Sequence, residues 1–342
     1  MLLKLHRAGA IGLLVLSVPL AWVLGFLRMP MLYVVSVAIG AVYTVAGSAS
    51  QIVLTQLVGR ENLVRAHAQN AIASSAAEVL GPGLAGLLIK VWGAPLALLM
   101  NSILLIGSVT MLKGIRINEK RPPPSAIPFW KEMKLGLDFV HQTRLLKEIA
   151  WTMGGWHFFA KMALSIQIIF AINDLALEQN VVSLSYVAIG LGSILGGFMG
   201  PRFSKYIGPG PGLLTGIAIT SVGWLIASCL QNWLSHMVLF SSMLFSYSFG
   251  ATFMFINFLS IRQGITPSHM LGRMTATMRW YSLLPAGPGA LLGGWTAEHY
   301  GMTWAIGLAG IGTLSVALIA TWRPYLRVLR TLPQPYVAIS EN

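Results

Sequence analysis

Apolar residues along the chain gather into blocks of about twenty, the length an α-helix needs to cross the hydrocarbon core of a bilayer. About ten such spans follow one another, at roughly 8–27, 31–54, 66–91, 94–112, 148–172, 182–201, 211–230, 235–260, 273–297 and 302–322. One long polar interval, 113–147, carries Pro122-Pro123-Pro124 and many charges, and separates four spans from six. The pattern predicts an all-α polytopic membrane protein of about ten transmembrane helices. Its parts are an N-terminal half over 1–112, a cytoplasmic linker loop over 113–147, a C-terminal half over 148–322 and a tail over 323–342. Lys4, His6 and Arg7 before the first span resemble the opening of a signal peptide. That span is of membrane-crossing length and no small-residue cleavage site follows it, so it reads as a retained helix.

Composition agrees with a membrane protein. The 342 residues are 55% hydrophobic and only 10% charged, against about 25% charged in soluble domains, and the mean hydropathy is +0.71. The single cysteine, Cys229, excludes a disulfide framework. The net charge of +13 would suit nucleic acid, but its distribution speaks otherwise. With the N-terminus inside and the spans alternating, 19 of the 23 basic residues fall on one side, eight of them in the 113–147 loop. The outside loops hold only Arg28 and Lys90, beside the acids Asp174, Glu178 and Glu298. This is the positive-inside asymmetry. It predicts a multi-pass protein of the cell (plasma or inner) membrane with both termini cytoplasmic, and removes the reason to invoke nucleic acid.

A long-period repeat is also present. Leu63-x-Arg65, Gly81-Pro82-Gly83 and Gly93 recur as Leu271-x-Arg273, Gly287-Pro288-Gly289 and Gly301, at offsets of 208, 206 and 208 residues. Each set lies on the penultimate span of its group. The unit is then six helices, and the first copy shows four before its loop. The expectation is two pseudo-symmetric halves, the first lacking two N-terminal helices or assigned too late a start.

Candidate chemistry centres on Glu78. An acid at mid-membrane depth is costly and marks function by default. Pro82 removes the hydrogen bond to the Glu78 carbonyl, so a kink and an ionisable group coincide. Ala71, Ser74, Ser75, Glu78, Gly81, Pro82 and Ala85 share one helical face, opposite Leu80, Leu84, Leu87 and Val91. The first face suits protein or water, and the second suits lipid. Glu78 is the proton-coupling candidate; a carboxyl locked in an interhelical pair is the plainer reading. Lys161 and Arg279 are the other mid-span charges and could neutralise it, since intramembrane charges usually pair. His157 shares a stripe with Gly154, Lys161 and Ser165. It titrates in a useful range, although a packing role is the simpler one. Gly81, Pro82, Gly86, Gly287 and Pro288 are expected to form kinks and close helix contacts. Tyr43 and Gln51 on the second span, and Tyr247 and Asn257 on the eighth, are cavity candidates. Around them Thr44, Ser48, Thr55 and the run of Phe and Met at 245–255 give polar stripes and an adaptable aromatic wall. The scattered histidines and lone cysteine point to no metal site, and no nucleophile–base pair or phosphate loop is visible.

Two halves joined by a basic loop resemble the major facilitator superfamily. Ala77-x3-Gly81-Pro82-x2-Ala85-Gly86 is similar to that superfamily's antiporter motif, with alanine at two of its usual glycines. Gly59-Arg60-Glu61-Asn62-Leu63-x-Arg65-Ala66-x2-Gln69-Asn70 and Leu271-Gly272-Arg273-Met274-x-Ala276-x-Met278-Arg279 resemble its bacterial drug-efflux branch, which includes siderophore and macrolide exporters. Two departures touch the superfamily's gating loop. Only Leu3-Lys4-Leu5-His6-Arg7 could be the tail of the first copy, and Gly196-Gly197-x2-Gly200-Pro201-Arg202 lacks the acid of the second. The resemblance implies a major-facilitator-type bundle working by alternating access, with Lys161 facing substrate. The expected function is proton-coupled efflux of amphiphilic organic solutes. The alternative is a non-transporting membrane protein, either a fragment or an interaction partner. No enzyme activity and no cofactor are expected. A proton is the coupling ion, and the partners are the lipid bilayer and a small organic substrate. Oligomeric state is left open.

Overall fold

The computed structural model describes residues 2–59, 61–113 and 128–331. Some side chains within those ranges, including those of Tyr43, Gln51, Glu78, Pro82 and Gly86, lie outside the description. Every regular element among the described residues is helical. In chain order they are α1 (Leu2–Val23), α2 (Met29–Val58), α3 (Leu63–Lys113), α4 (Phe129–Gln142), α5 (Arg144–Asn173), α6 (Gln179–Ser185), α7 (Val187–Ile207), α8 (Pro209–Cys229), α9 (His236–Ile265), α10 (Leu271–Leu283), α11 (Ala286–Tyr300), α12 (Met302–Thr321) and α13 (Pro324–Arg327). The chain forms two compact units, Met1–Gly59 with Val79–Ala126, and Arg60–Glu78 with Ile127–Asn342.

In the first unit α1 packs on α2. Their joint is set by Gly25 at φ 71°. The Phe26 amide donates to the Ala21 carbonyl at 2.9 Å and the Gly25 amide to that of Trp22 at 3.1 Å, the double closure of a Schellman motif. Pro30 then opens α2, where its missing N–H is no loss. Gly12 of α1 lets the chain approach Ile106, whose Cγ1 would stand 2.9 Å from an added Cβ.

The second unit is a helical bundle in which α9 packs on α7 and α8, α12 on α8 and α5, and α11 on α5. Among the described residues, five stretches are long and apolar enough to cross a membrane: Arg144–Asn173, Gln179–Ile207, Pro209–Cys229, His236–Ile265 and Met302–Thr321. Lipid is as apolar as leucine, so helices in a bilayer associate through small residues that let backbones approach. Gly216 and Gly250 face each other across α8 and α9. A Cβ on Gly250 would lie 2.6 Å from the Gly216 carbonyl oxygen and 2.7 Å from the Thr220 amide nitrogen. Trp224, Phe170, Phe240 and Leu146 are among the bundle's fully buried side chains.

The repeat shows in backbone torsions. Gly93 (φ 79°, ψ 161°) and Gly301 (φ 91°, ψ 155°) both join two helices end to end, inside α3 and between α11 and α12. The central members of the repeat differ. α3 stays helical through 81–83 and leaves helical torsions only at Gly93. The expected continuous span 273–297 is broken instead: α10 stops at Leu283 and α11 starts at Ala286. Pro288 therefore sits in the first turn of α11 and does not kink a helix interior. The physical reason is a second proline, Pro285, three residues earlier. The pair withholds donors from the Tyr281 and Leu284 carbonyls.

The interval expected as a linker loop contains α4, fourteen residues long. It packs on α10 and α5.

Candidate functional site

The serine-rich face of α3 leads to the site. In the second unit, the first turns of α3 lie against α7, where Gly197 leaves room for Ile72 and stands close to the Ala68 carbonyl. Gly196 on α7 plays the same part toward α9, its place for a Cβ lying 2.8 Å from the Phe249 carbonyl oxygen. Between these contacts the three helices diverge and enclose a cavity of about 370 Å³, within the roughly 300–1,000 Å³ of small-molecule sites.

α3 lines it with His67, Asn70, Ala71, Ser74 and Ser75; α7 with Ile189 and Ser193; α9 with Tyr247, Ser248, Ala251, Thr252, Phe255, Ile256 and Leu259. Among the described residues, this wall mixes neutral hydrogen-bonding groups with apolar and aromatic surface and carries no carboxylate, lysine or arginine. The Ser248 hydroxyl is committed to the Ile189 carbonyl at 2.7 Å, bridging α9 to α7. The hydroxyls of Ser193, Thr252 and Tyr247 have no hydrogen-bond partner among the described residues. Behind the wall an aromatic cluster stiffens the α9 side. Tyr247 stacks on Trp156 (centroids 6.3 Å apart) and on Trp224 (5.6 Å). Phe255 meets Trp156 edge-on at 5.5 Å. Trp156 Nε1–H donates to Thr220 Oγ1 at 3.1 Å, which anchors the cluster to α8.

His67 is a cavity residue that sequence reasoning missed, as are Asn70, Ile189 and Ser193. It is 4% exposed, and its Nε2–H donates to Gln263 Oε1 of α9 at 3.0 Å. The partner is 196 residues away, so nothing local announces the pair.

The predicted site residues divide. Tyr247 lies at the cavity, together with Ala71, Ser74 and Ser75 of the α3 face that suits protein or water. Glu78 lies in α3 one turn beyond Ser74 and Ser75; its side chain, like those of Tyr43, Gln51, Pro82 and Gly86, is outside the described set. Lys161 on α5 and Arg279 on α10 are exposed and are not part of the wall. His157 is buried, donates Nδ1–H to the Met153 carbonyl at 2.9 Å, and packs edge-on against Trp156 at 4.9 Å.

Asn257 requires a correction. It is fully buried away from the cavity. It accepts from Ser204 Oγ at 2.8 Å and donates Nδ2–H to the Phe253 carbonyl at 2.9 Å, against Gly212. It therefore clamps α9 to α7 and α8. Replacing Asn257 by leucine would strand the Ser204 hydroxyl, at about 1–3 kcal/mol. Thermal unfolding in detergent should show that loss, with ligand binding by the folded fraction unchanged.

The glycines of the second repeat also shift roles. Gly287 and Pro288 are exposed, and an added Cβ at Gly287, as at Gly81, would meet nothing within 4 Å. The close approach of α11 to α5 is made by Gly289, against the Phe158 carbonyl, and by Gly293, against that of Met162. One helical turn separates those two positions, whereas Gly287 points another way.

Residues 5–284 match the family model of the Major Facilitator Superfamily. The chain belongs to that superfamily. Two solved structures share its superfamily fold. The proton:xylose symporter XylE bound to 6-bromo-6-deoxy-D-glucose is similar at a TM-score of 0.66 and 13% identity, over 96% of this chain and 82% of that one. A bacterial homologue of the iron transporter ferroportin, in its outward-facing state, is similar at 0.61 and 14% identity, over 96% and 83%. Curated protein sequences yield no match. The superfamily fold supports membrane transport, and the cavity between α3, α7 and α9 is its candidate binding site in the second unit.

Proposed function

We propose that this superfamily member exports amphiphilic organic solutes of drug or siderophore type by alternating access, driven by protons, across the cell membrane with both termini cytoplasmic. The observation that carries the reading is the cavity wall, which offers uncharged hydrogen-bonding groups backed by an aromatic cluster. Such a wall suits an organic molecule with scattered polar atoms and disfavours a bare ion, which needs charged or many convergent oxygen ligands. The antiporter-like Ala77-x3-Gly81-Pro82 stretch and the segment 59–70, which resembles the drug-efflux branch, support export. Protons drive transport in XylE by that protein's own description, and Glu78 follows the cavity residues Ser74 and Ser75 in the same helix.

Binding is tested with the purified full chain in proteoliposomes, using a lipophilic dye and a siderophore as probes. Ser74 is exposed at the cavity, so Ser74→Trp should fill the mouth without disturbing a packed neighbour. Affinity should fall by about tenfold, or about 1.4 kcal/mol, at unchanged thermal stability. Unaltered affinity for both probes would remove the cavity from the substrate path. Binding of neither probe by the unsubstituted chain would sink the substrate class.

A further inference from the structure

We propose that α4 is an interfacial anchor that seats Trp130, Met133 and Leu137 in the headgroup boundary of an anionic, cytoplasmic membrane leaflet. Positions 130, 133 and 137 follow helical spacing, so the three side chains form one stripe along the helix. All are exposed, at 72%, 48% and 40%. The adjoining edge of the same apolar sector of α4 makes the protein contact. Val140 is buried there, and Gly136 lies so close to α10 that an added Cβ would stand 2.7 Å from Thr277 Oγ1. Two polar contacts fix the rotation of α4 about its axis. Arg273 Nη2 donates to Glu132 Oε1 at 3.0 Å, and His141 Nε2 and Tyr281 Oη are 2.6 Å apart. The apolar stripe therefore stays outward.

Position and charge name the occupant. Only Thr143 separates α4 from α5, which is long and apolar enough to cross a membrane from Arg144 onward. The helix carrying the stripe thus ends two residues before a bilayer-crossing helix begins. Lys131 and Lys134 flank it, with Asp138 the one acid on that flank, and Lys147 follows in the first turns of α5. A helix with an apolar stripe, a tryptophan and flanking lysines lies in the interface plane and is drawn to anionic lipid. The inference is independent of the transport reading.

The test uses the full chain with its one cysteine replaced, Cys229→Ser. Single cysteines carrying a nitroxide are placed at 130, 133 and 137, and for comparison at 131, 134 and 138. The protein is embedded in nanodiscs of phosphatidylglycerol with phosphatidylethanolamine, or of phosphatidylcholine alone. Collision rates with oxygen, which partitions into lipid, and with a water-soluble nickel chelate are then read by electron paramagnetic resonance. Oxygen should dominate at 130, 133 and 137 and nickel at 131, 134 and 138. Removing phosphatidylglycerol should shift the stripe toward nickel. Free access of nickel to the stripe would overturn the proposal. So would exclusion of both reagents, which would mean a second copy or another protein covers it. A stripe indifferent to lipid charge would overturn the anionic part.

Discussion

Glu78→Gln is expected to abolish proton-driven efflux while leaving exchange of substrate down its own gradient intact. Glutamine keeps the shape and most of the hydrogen-bonding capacity of the acid but cannot load or release a proton. If the carboxyl couples the two fluxes, uphill efflux should fall by at least about tenfold, corresponding to roughly 1.4 kcal/mol. Binding of the probes should change little, because the cavity wall from His67 to Ser75 is untouched. The measurement is accumulation in proteoliposomes with and without an imposed pH difference. Full gradient-driven efflux by the variant would exclude Glu78 as the coupling group. Efflux by the unsubstituted chain that ignores the gradient would exclude proton coupling altogether. The acid has no counterpart in the repeat, since Leu284 stands 206 residues on. Coupling through Glu78 would therefore be a property of one half alone.

The second large effect is structural. Gly250→Ala places a methyl group 2.6 Å from the Gly216 carbonyl oxygen and 2.7 Å from the Thr220 amide nitrogen, closer than carbon approaches either atom. Both obstacles are backbone, so no rotamer change relieves them and α8 and α9 must part. The penalty is expected near or above the upper end of the overpacking range, about 3 kcal/mol. It should appear as loss of monodisperse protein and a lowered Tm. Gly294→Ala in α11 is the control. It is exposed and an added Cβ there meets nothing within 4 Å, so alanine should be neutral or stabilising by up to about 1 kcal/mol. Equal behaviour of the two variants would show that the α8–α9 contact tolerates separation.

What could be read in the sequence follows from the range of each signal. Hydropathy and helical period are local, and they place the apolar helices, the break near Gly93 and the shared face of Ala71, Ser74 and Ser75 on α3, though not the cavity that face lines. The Gly93–Gly301 match survives because a left-handed torsion restricts the residue at both joints. Period alone says which residues share a face but not which neighbour that face meets. Asn257 shares polar character with the cavity residues of α9, yet its face meets Ser204 and Gly212. His67 was legible only as one histidine among seven, because Gln263 is distant in sequence. α4 was hidden by its charges. Reading 130, 133, 136, 137 and 140 at helical spacing would have exposed one amphipathic sector within the supposed loop.

The break at Leu284-Pro285 sets where the helices around it should open first. α10 is tied to α4 through Arg273–Glu132 and Tyr281–His141, whereas α11 is seated on α5 by Gly289 and Gly293. Two carbonyls without helical donors lie between them. α10 and α4 also pack on α5, so the break is a local loosening within one packed group of helices. The amides of Ala286 and Gly287, at the first turn of α11, should then exchange with deuterium sooner than those in the interior of either neighbouring helix.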